Sequence, residues 1–120
     1  MHTNNQTLVL LRGGGDLASG VALRLHRAGI QVVITELAQP LTVRRTVSFA
    51  ETVYEGKFTV EEVTARLVKP DDLPSALEAD EIPVLVDPEA DILLSSFFFA
   101  VVIDGRLIKS PPLPLPVQVP

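Results

Sequence analysis

The chain has 120 residues, 47% of them hydrophobic and 21% charged, which is one domain's worth of ordinary globular composition with enough apolar side chains for a single core. Aromatics make up only 5% and Trp is absent, so the core is expected to be Val, Leu, Ile and Ala, as suits a parallel sheet. A formal charge of -5 and the absence of Cys exclude a basic nucleic-acid surface, disulfides, thiolate nucleophiles and cysteine metal sites, and point to a reducing cytoplasm.

The first six residues are polar and carry no secretory pattern, and no apolar run reaches the roughly twenty residues a membrane helix needs. Leu8-Val9-Leu10-Leu11 then reads as a buried strand. It empties into Arg12-Gly13-Gly14-Gly15 and from there into a helix whose apolar face is Ala18, Val21, Ala22, Leu25 and Ala28, with Arg24 and Arg27 opposite and Gly29 as the left-handed stop. Gln31 to Thr35 is a second strand ending at Glu36. Pro40 to Gly56 reads as a second helix with Val43, Val47, Ala50 and Tyr54 on its apolar stripe and Arg44, Arg45, Ser48 and Glu51 off it. Val63 to Val68 is a third strand, broken by Lys69-Pro70-Asp71-Asp72. A short helix over Leu73 to Ala79 follows, then a fourth strand over Ile82 to Val86 with its Pro at the entry. Glu89 to Ser96 reads as helical, and Phe97 to Ile103 as a buried fifth strand ending at Asp104-Gly105. This makes residues 1–109 one three-layer α/β domain with a mostly parallel sheet and an expected strand order of 3-2-1-4-5. Residues 110–120, with alternate prolines, form an extended tail whose leucines and valines suggest a homodimer contact.

The chemistry-bearing stretch is the glycine turn. Gly13, Gly15 and Ala18 fit the G-x-G-x-x-G/A pattern, in which small residues permit a tight turn, backbone approach to a pyrophosphate and close packing of helix on strand. Strand, turn, helix, strand and an acid about twenty residues on occur in the order a dinucleotide site needs, with Glu36 placed to hold a ribose hydroxyl. Because the protein is acidic, an anionic ligand would be met by local dipoles, the amino end of the first helix above all. Gly14 and Leu17 belong to the same turn. Asp16 reads as a helix cap in preference to a catalytic group. Arg12, Arg44 and Arg45 are candidate phosphate contacts against the alternative of solvated surface charges. Asp104 ends a strand at the edge where open α/β sheets bind ligands. His2 and His26 have no evident partner for catalysis or metal binding.

The run Arg12-Gly13-Gly14-Gly15-Asp16-Leu17-Ala18-Ser19-Gly20-Val21-Ala22 resembles the Rossmann-like accessory proteins that mature molybdenum hydroxylases. It looks especially like the YqeB-type proteins of selenium-dependent molybdenum hydroxylase systems, which are similar to the xanthine dehydrogenase accessory (XdhC/CoxI) family. The likeness continues through Val33-Ile34-Thr35-Glu36, Arg44 to Ala50, Ile82 to Pro88 and Val102 to Arg106, and so covers most of residues 7–109. The resemblance implies a part in binding, protecting or delivering the molybdenum cofactor to a client molybdenum hydroxylase; the ligand's identity stays open between a pterin dinucleotide such as molybdopterin dinucleotide and a nucleotide such as NAD(P). Such proteins carry a second glycine-rich segment beyond the point matching Pro120, so a complete site is expected to draw on more chain. Two alternatives share the fingerprint. An NAD(P)-dependent oxidoreductase would need a proton donor at the crevice, and the inventory offers Tyr54, the two His and scattered Lys. A nucleotide-sensing interaction module would need no chemistry.

Overall fold

The computed structural model describes residues 8–13, 15–38, 48–87, 91–97 and 99–104. Six strands form one sheet: β1 (Leu8–Arg12), β2 (Gln31–Glu36), β3 (Lys57–Val60), β4 (Val63–Leu67), β5 (Ile82–Val86) and β6 (Val101–Asp104), in the order β3-β4-β5-β2-β1-β6. All pairings are parallel except β3 with β4. Among the described residues, the helices between them are α1 (Asp16–Arg27), α2 (Thr52–Glu55), α3 (Leu73–Glu78) and α4 (Asp91–Ser96).

The helices cover both faces, so alternate strand residues feed two cores. Leu11, Val32, Ile34 and Val84 pack with Ala18, Ala22 and Leu23 of α1 and with Phe49. Leu10, Val33 and Leu85 pack with Leu73 and Ala76 of α3 and Leu93 of α4. That is why the central strands read as unbroken apolar runs. It also fixes the winding. The chain steps from β1 to β2, and from β2 toward β4, over the α1 face; it steps from β4 to β5, and from β5 to β6, in the opposite direction over the α3 and α4 face. Reversing direction and face together keeps every crossover at one hand, as parallel connections require.

The expected strand order needs correction. Ile82–Val86 lies between β2 and β4, not beyond β1. The expected buried fifth strand is an edge strand: β6 begins at Val101 and its Val101 and Val102 are 47% and 44% exposed. Phe97 and Phe99, ahead of it, pack partly against the second core, so the apolar character of this stretch serves the approach to the strand more than the strand itself.

A further strand, β3, forms a hairpin with β4 through Glu61 and Glu62, both at positive φ of 50° and 75°. That geometry belongs to a tight hairpin turn, where Asn or Gly is the usual occupant. Arg27 steadies it by donating from Nη2 to the Glu61 carbonyl at 2.7 Å. In α1 the buried face is Ala18, Ser19, Ala22 and Leu23, while Val21 and Ala28 are exposed. The expected stripe was rotated by part of a turn. The second helix is shorter in its described part: a 3-10 turn over Phe49–Glu51 leads into α2. There Ala50 is buried as expected, whereas Ser48 and Glu51, expected off the stripe, are buried too and Tyr54, expected on it, is 51% exposed. Residues 39–47, 88–90 and 105–120, including Arg44, Arg45 and the Pro-rich tail, lie outside the described residues.

Candidate functional site

In an open doubly wound sheet the ligand crevice forms at the carboxyl ends of the strands, at the point where the strand order reverses. Here that point is β1: its own helix α1 leads to β2 on one side along one face, while α4 on the other face brings the chain to β6 on the other side. The glycine turn stands directly on this switch point.

The turn is built from a backbone constraint and an open space, at different residues. Gly13 has φ +96°, a conformation strained for any residue with a Cβ, and its N–H donates to the Thr35 carbonyl at 2.8 Å. This bond prolongs the β1–β2 ladder past Arg12 and turns the chain over the sheet edge. Gly15, by contrast, has an ordinary extended backbone, φ -67° and ψ -175°, and occupies the N-cap of α1. Among the described residues, a Cβ built on it would meet nothing within 4 Å. Glycine is not demanded at 15 by the chain's own geometry; its small size leaves open space at a helix amino end.

The N-cap position of Gly15 corrects the reading of Asp16 as the cap. Asp16 is the first helical residue, and the Gly15 carbonyl accepts the first intrahelical bond, from Ser19 N–H at 2.7 Å. The N–H groups from Gly15 to Ala18 precede that bond and have no intrahelical acceptor, so with the helix dipole they form an anion-attracting end. Ala18, 3% exposed, sits in the core with Leu11 and Ile34, which lets α1 approach the sheet closely.

The other expected residues distribute along the same edge. Arg12 is the last residue of β1 and pairs in register with Thr35 on one side and Asp104 on the other. Glu36 ends β2, opposite Val86 of β5, and is only 8% exposed; its Oε1 accepts the Leu37 N–H at 3.0 Å. Asp104 is exposed at the end of β6. The edge therefore alternates in sign, with the Arg12 cation between the acids of β2 and β6. Such an edge favours a ligand placed in one orientation over loosely held anions. Gly14, Arg44 and Arg45 fall outside the described residues, as do the side chains of Asp16 and Leu17.

Three further residues at or behind this edge carry no motif of their own in the sequence. Ser19, fully buried, accepts the Phe49 N–H on its Oγ at 2.8 Å and so fastens the first turn of α1 to the segment that follows residues 39–47. Lys69 follows β4, and Asp87 follows β5; both therefore sit at strand carboxyl ends, the one positional rule that would have found them. The Asp87 Oδ2 accepts the Leu93 N–H of α4 at 3.3 Å. His26 lies near the far end of α1, where its Nε2 is 3.6 Å from Asp80, at the opposite edge of the sheet from the glycine turn. Among the described residues no group of three His, Asp or Glu could hold a metal, and no helix is long and apolar enough to cross a membrane.

Fold and edge together define a doubly wound, Rossmann-like α/β protein with its glycine turn at the switch point. Over 93 residues the chain is 46% identical to an Escherichia coli (strain K12) protein named "Uncharacterized protein YqeB", a match covering 77% of this chain and 17% of that protein. Over that span the chain is similar to this protein, and it spans about a sixth of the relative's length. No family model matches the chain, and neither does any solved structure.

Proposed function

We propose that the chain binds a pyrophosphate-bearing ligand, a nucleotide or pterin dinucleotide, at the β1–α1 turn, and that it acts as an accessory protein in maturing or delivering the molybdenum cofactor to a client hydroxylase. The observation that carries the binding reading is the open space at Gly15, on a helix amino end at the sheet's switch point. The molybdenum role rests on the resemblance of residues 12–22 and the segments after them. Backbone amides, Arg12 and Glu36 are groups that hold a phosphorylated ligand, and the space over Gly15 suits the close approach such a ligand makes. A pterin dinucleotide would be cargo here, held and passed on.

Native mass spectrometry of the chain purified from cells that make molybdopterin tests this reading. The expected result is an added mass equal to a pterin dinucleotide or its nucleotide portion. A nicotinamide dinucleotide in its place, with sustained hydride transfer to a carbonyl acceptor, would replace the accessory role by the oxidoreductase.

Glu36 is assigned the ribose hydroxyls. Glu36→Ala is expected to weaken binding of a nucleoside diphosphate by about 1–3 kcal/mol, since hydroxyls against a carboxylate lose a charged acceptor. Inorganic pyrophosphate, which has no ribose, serves as the control and should bind both forms alike. Equal weakening of the two ligands in a calorimetric titration would show that Glu36 only supports the strand end through its bond to Leu37.

A further inference from the structure

We propose that the open edge of the sheet at β6 is the docking site of the chain's own carboxy-terminal segment, Leu113 to Val119, which adds there as a further strand antiparallel to β6. Residues 105–120 lie outside the described residues, and it is their sequence that fits them to this edge.

β6 pairs with β1 along one side, from Val101 with Val9 to Asp104 with Arg12, and among the described residues no strand pairs its other side. Two of its four residues therefore turn N–H and C=O outward, since these groups alternate along a strand. The side chains are uncovered as well. Val101 and Val102 project to opposite faces of the sheet, and both are exposed. Val21 of α1 is also exposed. Ser19 and Arg27 bind Phe49 and Glu61 on the β3–β4 side of that helix, so Val21, on its other flank, extends the apolar ledge beside Val101. The opposite edge of the sheet is protected: β3 carries exposed Lys57 and Thr59, and a lysine on an edge discourages further pairing. β6 has no charge before Asp104.

The tail supplies a matching strand. Pro112, Pro114 and Pro116 alternate with Leu113, Leu115 and Val117, and Gln118 and Val119 follow. In an extended chain every second residue points its N–H and C=O to the same edge and its side chain to the same face. Leu113, Leu115, Val117 and Val119 thus line one edge with donors and one face with apolar groups. On the other edge the prolines have no N–H, and Gln118 alone can donate. Such a segment pairs on one side only, which is the character of a terminal strand with its proline edge toward solvent. The eight residues 105–112 between β6 and Leu113 are fewer than the dozen or so that a parallel crossover needs, about enough for a hairpin return, and they set the antiparallel sense. So short a connection also favours the chain's own edge over that of a second copy, because it holds the segment at high effective concentration.

The test is amide hydrogen exchange, followed by NMR, on the intact chain and on its Val117→Pro and Gln118→Pro variants. The two substitutions are one position apart, but only Val117 turns its N–H toward β6. In the unaltered chain Leu115 and Val117 are expected to exchange at least about tenfold more slowly than in an unstructured peptide, with Gln118 at the unstructured rate. Val117→Pro should remove the protection of Leu115 and of the outward amides of β6, whereas Gln118→Pro should leave both intact. Neither position belongs to a core cluster, and the amides of β1 and β2 verify that each variant stays folded. Unstructured exchange throughout residues 113–119, or equal effects of the two prolines, would overturn the proposal. Protection that fades on dilution as sedimentation shows a dimer giving way to monomer would overturn it too, by assigning the strand to a second copy.

Discussion

Gly15→Val is expected to abolish pyrophosphate binding, lowering affinity at least about a hundredfold, while the chain stays folded. The two effects separate because glycine's role at 15 is steric toward the ligand and not conformational. Its φ of -67° and ψ of -175° are accessible to valine, and none of the described residues lies within 4 Å of the added Cβ. Valine at an N-cap costs about 1 kcal/mol of stability relative to better caps, small beside the 5–15 kcal/mol that ordinarily holds a domain. A hundredfold loss of affinity is about 2.7 kcal/mol and would come from branched methyl groups occupying the space over the helix amino end. Titration calorimetry on a variant with an unchanged circular dichroism spectrum checks it; retained affinity would move the ligand elsewhere.

Phe49→Ala is expected to have the largest effect on stability. Phe49 is fully buried and joins the 3-10 turn to α1, β2, β4 and β5 through the first core, and its backbone N–H is held by Ser19. Replacing a buried phenylalanine by alanine costs about 3–5 kcal/mol, from lost transfer free energy and the cavity left behind. On a small domain this approaches the whole margin of stability. The midpoint of urea unfolding reads the change directly, and a loss under about 1 kcal/mol would show that Phe49 can be replaced by collapse of its neighbours.

Both residues illustrate what the amino-acid order displayed. The turn was legible because glycine, alanine and a strand-terminal acid have few other reasons to occur at that spacing, and Arg12, Gly13, Gly15, Ala18, Glu36 and Asp104 do share one edge. Burial on the helices was less legible. Ser19 and Glu51 are polar and buried while Val21 and Tyr54 are apolar or aromatic and exposed, because hydrogen bonds such as Ser19 to Phe49 N–H let polar side chains enter a core. The β3–β4 hairpin was hidden for a local reason. Its turn uses Glu61 and Glu62 at positive φ, so the glycine or asparagine that normally signals such a turn is missing. Strand order was beyond a pattern argument altogether: whether Ile82–Val86 adds beside β1 or beside β2 depends on which neighbour buries its two apolar faces, and α3 and α4 decide that only once packed.

The central claim is that the amino end of α1 is an anion site, and the most direct measurement is a two-dimensional amide NMR titration of the intact chain with inorganic pyrophosphate. The amides of Gly13, Gly15, Asp16, Leu17 and Ala18 are expected to shift together and saturate along one binding curve, with those of β3 and the Glu61–Glu62 turn unmoved. Saturating shifts confined to some other surface, or no shift in the glycine turn at millimolar pyrophosphate, would contradict it.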